Sequence, residues 1–108
     1  MLTSGIVAQN IAFVGSNANA IATVSFDTKT GTFKVTGNNT DSSTPSWQEV
    51  SRDGKLLYSI EETSTEHALT SYSIGQDGKL KKLKSIKGLA GPVSLDMHPT
   101  QPIIITAN

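Results

Sequence analysis

The chain contains no cysteine and carries no net charge, and each absence argues against some classes of function. Without cysteine there is neither a disulfide framework nor a thiolate nucleophile, an absence that suits the cytoplasm. The nine Lys and Arg residues balance the nine Asp and Glu residues, so no basic surface indicates a nucleic-acid or anionic-membrane partner. We therefore expect a cytoplasmic protein that binds neither nucleic acid nor membrane.

Long apolar runs and helical periodicity are also missing. No segment approaches the roughly 20 apolar residues of a membrane-spanning helix. The first ten residues lack the basic start and apolar run of a secretory signal peptide. Thr, Val, Ile, Ser and nine glycines are plentiful instead, which favours an all-β fold.

Nine short strands are predicted, separated by polar turns that contain Gly, Asp or Pro. They are Ile11–Gly15, Ile21–Phe26, Thr32–Thr36, Trp47–Ser51, Leu56–Ile60, Ala68–Ile74, Lys79–Ile86, Val93–Met97 and Ile103–Ala107. In the seventh strand, Leu80, Leu83 and Ile86 are expected to point inward and the lysines outward. Residues 37–45 are expected to form a polar loop.

The chain repeats itself at an offset of 47 residues. Pro45 aligns with Pro92, and the triplet Leu56-Leu57-Tyr58 aligns with Ile103-Ile104-Ile105. A period of about 40 to 50 residues made of short strands is the signature of a β-propeller blade. The sequence therefore predicts propeller blades, each a four-stranded antiparallel sheet.

The strands can be lettered from a, at the central channel of a propeller, to d, at its rim. The chain then reads bcd–abcd–ab, a single N-terminal fragment with a partial blade in 1–44, a complete blade in 45–88 and a partial blade in 89–108. These are about two and a third blades. Because an incomplete ring exposes apolar blade faces, we expect the partners to be the remaining blades of the parent chain or copies of the chain itself.

Several segments occur in a characteristic order: Phe26-Asp27-Thr28-Lys29-Thr30-Gly31, Pro45-Ser46-Trp47, Ser51–Glu62, Tyr72-Ser73-Ile74, Gly91-Pro92 and Ala107-Asn108. Together they resemble the lactonase family of seven-bladed propellers, which includes 6-phosphogluconolactonases and fungal enzymes acting on carboxymuconate lactones. The resemblance covers nearly the whole chain from Phe13 onward and corresponds to the first third of the family's sequence.

This resemblance implies an acid/base enzyme without metal or cofactor that hydrolyses or forms a small acidic lactone of the sugar or muconate type. The family's catalytic histidine and arginine would lie beyond Asn108, so the chain by itself is expected to be inactive. The alternative is a non-enzymatic propeller fragment that serves as a binding or self-assembly module.

The candidate site follows from the lettering, because the d–a and b–c connections of a propeller share one face and small-molecule sites open there. Glu61 directly continues its strand and is the candidate catalytic residue, as a general base or the partner of one. The substrate-binding candidates are Glu62, Trp47, Asn108 and Asn17. Structural alternatives are a solvated pair for the glutamates, packing between blades for Trp47 and loop capping for the asparagines.

The histidines and a group of lysines are interpreted as structural. His98 precedes Pro99 in an a–b turn on the opposite face. His67 has no cysteine or second histidine nearby, so we predict no metal site. The lysines of strand d are expected to discourage edge-to-edge aggregation; they are Lys79, Lys81, Lys82, Lys84 and Lys87.

Overall fold

The computed structural model describes residues 10–16, 19–62, 65–89, 94–100 and 103–107, which form three antiparallel sheets. Sheet 1 has the order β1-β2-β3, sheet 2 the order β4-β5-β6-β7, and sheet 3 pairs β8 with β9. The strands are β1 (Ile11–Ser16), β2 (Ala20–Asp27), β3 (Thr32–Asn39), β4 (Pro45–Val50), β5 (Leu56–Glu62), β6 (His67–Ile74), β7 (Leu80–Leu89), β8 (Ser94–Met97) and β9 (Ile104–Ala107).

The all-β class and the grouping of the strands by three, four and two are confirmed. Residues 37–45 were expected to be a loop throughout, which is wrong at both ends. Residues 37–39 continue β3 and Pro45 begins β4, because these backbones pair with Ile21–Thr23 and Glu61 respectively. The unit boundaries at 44 and 88 stay a prediction, and β7 continues to Leu89. Among the described residues no helix is long and apolar enough to cross a membrane.

The 47-residue repeat has a counterpart in the hydrogen bonds of two hairpins. The amide of Ser51 donates to the carbonyl of Leu56 at 2.8 Å, and the amide of His98 donates to the carbonyl of Ile103 at 2.9 Å. The donors and the acceptors are each separated by 47 residues. Equivalent hydrogen bonds therefore close the a–b hairpin of sheet 2 and that of sheet 3.

The first of these turns is held by Asp53. Its Oδ1 accepts from the Ser51 hydroxyl at 2.6 Å and from the Lys55 amide at 3.0 Å. These two hydrogen bonds, that of Ser51 being the stronger influence, hold the pKa of the Asp53 carboxyl below its usual value. The turn thus satisfies its own backbone, as Asp and Ser side chains commonly do in turns.

The core lies between sheets 1 and 2. Ile11, Phe13 and Ile21 of sheet 1 pack against side chains of sheet 2 that are equally buried; these are Leu57, Tyr72 and Leu80. Fully burying one large apolar side chain contributes about 1.5–3 kcal/mol. Two hydrogen bonds join the same sheets: Thr23 Oγ1 donates to the Gly78 carbonyl at 3.0 Å, and Asn39 Nδ2 donates to the Leu80 carbonyl at 3.2 Å.

The expected orientation of β7 is wrong for two of its three apolar residues. Leu80 is buried, but Leu83 and Ile86 are each 53% exposed. The register of β6 and β7 shifts between Ser71 and Tyr72, leaving Leu83 as the extra residue of a bulge. Ile86 pairs with Leu69 on the face toward sheet 3, where the two residues line a small cavity together with Ile104.

The lysines of β7 do not all point outward. Lys82 Nζ lies 3.6 Å from the Asp41 carboxyl, and Lys87 Nζ lies 3.6 Å from the Glu66 carboxyl. Both pairs are partly exposed, so each contributes at most about 1 kcal/mol. They belong to the side of sheet 2 that faces sheet 1.

Candidate functional site

Three connections meet at one end of sheets 1 and 2, here called the upper end. Asn19, after β1, accepts through Oδ1 from the Thr44 amide at 2.8 Å and its hydroxyl at 3.0 Å. The amide of Glu62, at the end of β5, donates to the carbonyls of Ser43 at 3.0 Å and Thr44 at 3.2 Å. Two b–c connections are therefore tied to the d–a connection between them.

Asn19 and Thr44 both have a positive φ, 57° and 40° respectively. Asparagine accepts this conformation several-fold more readily than most residues, whereas for the β-branched Thr44 it is strained. The hydrogen bonds to Asn19 hold the Thr44 backbone in place. Sequence reasoning pointed to Asn17 and missed Asn19, although an asparagine in a tight connection is a signal for positive φ.

Glu61, the predicted catalytic residue, is buried between sheets 1 and 2. Its carboxyl accepts a short hydrogen bond from the Tyr72 hydroxyl and another from the Thr70 hydroxyl at 3.0 Å. The Thr70 oxygen also lies 3.0 Å from the hydroxyl of Ser85. The Glu61 carboxyl therefore ends a chain of hydroxyls that runs across β6 to β7.

Tyr72 is the group in this network with the strongest electrostatic perturbation. Burial raises the pKa of its hydroxyl far above the usual value, and the hydrogen bond to Glu61 and the nearby Asp41 add to the effect. The Ser42 hydroxyl opposes it only weakly. Tyr72 thus stays protonated and remains a hydrogen-bond donor to Glu61.

A small cavity of about 160 Å³ opens beside Glu61, with Ser43, Glu66, Ser85 and the stems of β7 lysines in its walls. Two larger clefts, of about 540 and 390 Å³, lie near the β6–β7 turn and between the turns of sheets 2 and 3. Glu61 lines only the small cavity, and neither Glu62 nor Trp47 lines any of the three.

Glu62 points to the opposite face of sheet 2 from Glu61, since successive side chains of a strand alternate. It is paired across the hairpin with His67, whose Nε2 lies 3.4 Å from the Glu62 carboxyl. Trp47 shares this face because it pairs with Ile60, the residue two before Glu62. The tertiary structure therefore separates the two adjacent glutamates and places Glu62 with Trp47 and His67.

The remaining predicted positions fall elsewhere. Asn17 and Asn108 lie outside the described residues. His98 is a turn residue whose Nδ1 accepts from the Thr100 amide at 3.1 Å. In the part of the chain that the structure describes, no group of three or more His, Cys, Asp or Glu side chains could hold a metal ion.

The propeller-type sheets described above agree with a comparison of the sequence with known protein families. The family described as "Lactonase, 7-bladed beta-propeller" matches residues 10–108. The chain belongs to this lactonase family.

Individual relatives of the chain carry similar descriptions. The chain is 99% identical over 108 residues to the "Probable 6-phosphogluconolactonase" of Arthroderma benhamiae, and it spans 27% of that protein's length. Among solved structures, the "putative 6-phosphogluconolactonase" of Bacteroides fragilis is 29% identical with a TM-score of 0.76 over 89% of this chain and 28% of its own. A protein of the same description from Bacteroides uniformis is 23% identical with a TM-score of 0.74 over 91% and 30%, and this second likeness shows the fold alone.

Proposed function

We propose that the protein containing this chain hydrolyses a sugar lactone of the 6-phosphogluconolactone type. The membership of residues 10–108 in the lactonase family carries the proposal. The near-identical Arthroderma benhamiae protein favours a sugar lactone over a muconate lactone. The chain spans 27% of that relative's length. On this proposal it contributes one sector of the ring and is inactive alone.

Within this sector, Glu61 is poorly placed to contact a substrate directly. The Glu61 carboxyl is buried and already accepts hydrogen bonds from Tyr72 and Thr70. Direct contact with a lactone would require those bonds to open. On this proposal Glu61 stabilises the end of β5, while Glu62 and Trp47 lie at the same end on the face of sheet 2 turned away from sheet 1.

The test is a lactonase assay on the full-length protein. We expect it to hydrolyse 6-phosphogluconolactone faster than the spontaneous rate in a pH-stat, with gluconolactone and a muconate lactone as comparison substrates. The isolated chain, assayed at the same concentration, serves as the control and is expected to be inactive. The proposal fails if the full-length protein accelerates the hydrolysis of no sugar lactone.

A second candidate, an assembly module, is favoured by the exposed apolar side chains. Phe33 and Val35 in sheet 1 are 70% and 64% exposed. Ile105 in β9 of sheet 3, and Ile103 just before β9, are more than half exposed. Exposed apolar clusters of this kind mark interaction surfaces. On this proposal the occupants are the other blades of the parent protein or further copies of the chain.

We also propose a cytoplasmic location, supported by the absence of cysteine from all 108 residues. Fractionation of cells that express the full-length protein tests it. Recovery of the protein in the culture medium or in a membrane fraction would contradict this location.

A further inference from the structure

We propose that Asn19 is a positioning residue of the lactonase site, acting through Thr44 on the d–a connection between sheets 1 and 2. This connection, residues 40–44, leads from β3 into β4. The inference rests on the proposed lactone hydrolysis and assigns no step of the reaction to Asn19. The reacting groups remain those expected beyond Asn108, and Asn19 contributes by holding the protein surface next to them.

The backbone of Thr44 is the observation that carries this inference. Among the residues that the structure describes, three other than glycine have a positive φ: Asn19, Thr44 and Asp77. Thr44 is the β-branched one of the three, and for such a side chain this conformation is a genuine outlier. Strained backbones persist where surrounding contacts impose them, and they cluster at functional sites.

Asn19 supplies the contacts that impose the conformation of Thr44. Its Oδ1 accepts from the Thr44 amide at 2.8 Å and from the Thr44 hydroxyl at 3.0 Å. A backbone amide can only donate, so the Asn19 atom that faces it must be the oxygen and not the nitrogen. Both hydrogen bonds therefore need an acceptor oxygen at position 19.

The other contacts of this connection come from sheet 2. The Glu62 amide donates to the carbonyls of Ser43 and Thr44, and the Tyr72 hydroxyl lies 3.3 Å from the carbonyl of Asp41. Sheet 2 therefore holds the carbonyl groups of the connection, whereas the amide and hydroxyl of Thr44 depend on Asn19. Asn19 ties the connection to the b–c connection of sheet 1.

Residues 40–44 form part of the walls of two cavities. Thr40 and Asp41 line the cleft of about 540 Å³, and Ser43 lines the cavity of about 160 Å³ beside Glu61. A displacement of the connection would change the shape of both. Small-molecule sites of a propeller open where the d–a and b–c connections meet, so a fixed connection preorganises this end for a ligand.

A positioning role and a purely structural role differ in what they affect. A purely structural contact changes the free energy of unfolding but leaves the kinetics of the folded enzyme as they were. A displaced wall also weakens the binding of substrate and transition state alike, while the reacting groups stay in place. The expected signature is therefore a raised KM with kcat nearly unchanged.

Steady-state kinetics of the full-length protein on 6-phosphogluconolactone test the inference with three variants of one residue. Asn19→Ala removes the acceptor oxygen and is expected to raise KM about 10-fold, with kcat within about two-fold of wild type. Asn19→Gly accepts the positive φ but lacks the acceptor, and should raise KM by a similar factor. Asn19→Asp keeps both the acceptor oxygen and the tolerance of positive φ, so it should restore the wild-type KM at an ionic strength of about 0.15 M, where distant charges are screened.

Gly31→Ala is the matched control for a loss of stability alone. Gly31 has a φ of 73° and lies in the connection at the opposite end of β2 from Asn19. The variant is expected to lower the free energy of unfolding, measured by urea denaturation, without changing KM. Equal rises of KM in Gly31→Ala and Asn19→Ala would reveal a general effect of instability and would overturn the positioning role.

The failure of this inference is distinguishable from that of the proposed function. An active wild type whose KM is unchanged in Asn19→Ala overturns the role of Asn19 and leaves the lactonase activity standing. An Asn19→Asp variant with a KM as high as that of Asn19→Ala does the same. A wild type inactive on every lactone overturns both. Should Asn19→Ala fail to fold, Asn19→Gly decides: a raised KM supports the inference and a wild-type KM refutes it.

Discussion

At the scale of single residues, two adjacent glutamates of β5 lie on opposite faces of sheet 2 and have different surroundings. Glu61 faces sheet 1 and accepts hydrogen bonds from the buried hydroxyls of Tyr72 and Thr70, whereas Glu62 lies on the opposite face of sheet 2 beside His67. A buried carboxyl without donors would cost several kcal/mol, so the hydroxyls are what make the position of Glu61 tolerable. Tyr72 is the central donor of this arrangement.

The raised pKa of Tyr72 predicts a loss of stability at alkaline pH. The unfolded chain releases the tyrosine proton above a pH of about 10, while burial keeps the folded hydroxyl protonated. The stabilisation is therefore complete below about pH 10 and declines above it by about 1.4 kcal/mol per pH unit. Urea denaturation of the full-length protein between pH 8 and 11.5 measures this slope.

Replacement of Tyr72 isolates its contribution to the pH dependence of the free energy of unfolding. Tyr72→Phe should lower the free energy of unfolding at pH 8 by about 1–3 kcal/mol, since Glu61 loses a donor, and should flatten the alkaline slope. Tyr58→Phe, on the opposite face of sheet 2, is the control. An identical alkaline slope in wild type and Tyr72→Phe would contradict the role of burial.

At the scale of elements, the β6–β7 turn joins sheet 2 to sheet 1. Asp77 and Gly78 both adopt a positive φ in a single 3-10 turn, and the Gly78 carbonyl accepts from Thr23. A Cβ atom on Gly78 would lie 2.7 Å from Thr23 Cγ2 and 3.3 Å from two carbons of Ile11. This turn therefore needs glycine both for its backbone conformation and for the space it leaves.

Two glycine-to-alanine substitutions separate these requirements. Gly31 has nearly the same φ as Gly78, 73° against 76°, but nothing lies within 4 Å of its added Cβ. Gly31→Ala should cost only the left-handed conformation, about 1–2 kcal/mol. Gly78→Ala should cost about 1–3 kcal/mol more, because the added methyl overpacks the interface. Chemical denaturation measures both, and equal costs would contradict the close packing of the turn.

At the scale of the whole molecule, the three sheets expose apolar side chains among the residues that the structure describes. Phe33 and Val35 are more exposed than buried, and the ring of Phe26 lies 6.1 Å from that of Phe33 in a tilted contact. The chain has no net charge to oppose association. In a longer family member such surface is available to further blades.

The isolated chain is accordingly expected to self-associate. Sedimentation velocity at tens of micromolar should show species larger than the 11.4 kDa monomer. Phe33→Thr combined with Val35→Thr should shift the distribution toward the monomer, since threonine retains a high strand propensity but removes apolar area. Lys34→Thr, between them, is the control. A wild-type chain that sediments as one monomer and unfolds cooperatively would contradict this expectation.

Much of the fold was predictable because its signals are local. Alternating side chains, turn residues such as Asp53 and Gly31, and the 47-residue offset predict the nine strands and their grouping. The upper end of the sheets was predictable too, since strand lettering alone places the b–c and d–a connections together. His67 was missed as a partner of Glu62 because its pairing depends on the register of β5 and β6 across a connection.

The sequence by itself determined that this protein is built from propeller strands of the lactonase family. Only the tertiary structure decided which face each side chain occupies: Glu61 inward, Glu62 beside His67, and Leu83 and Ile86 exposed. The physical reason is that a strand alternates its faces every residue, so one bulged residue reverses the side chains that follow. Where a bulge forms is set by strand pairing and packing, which involve residues far apart in the chain.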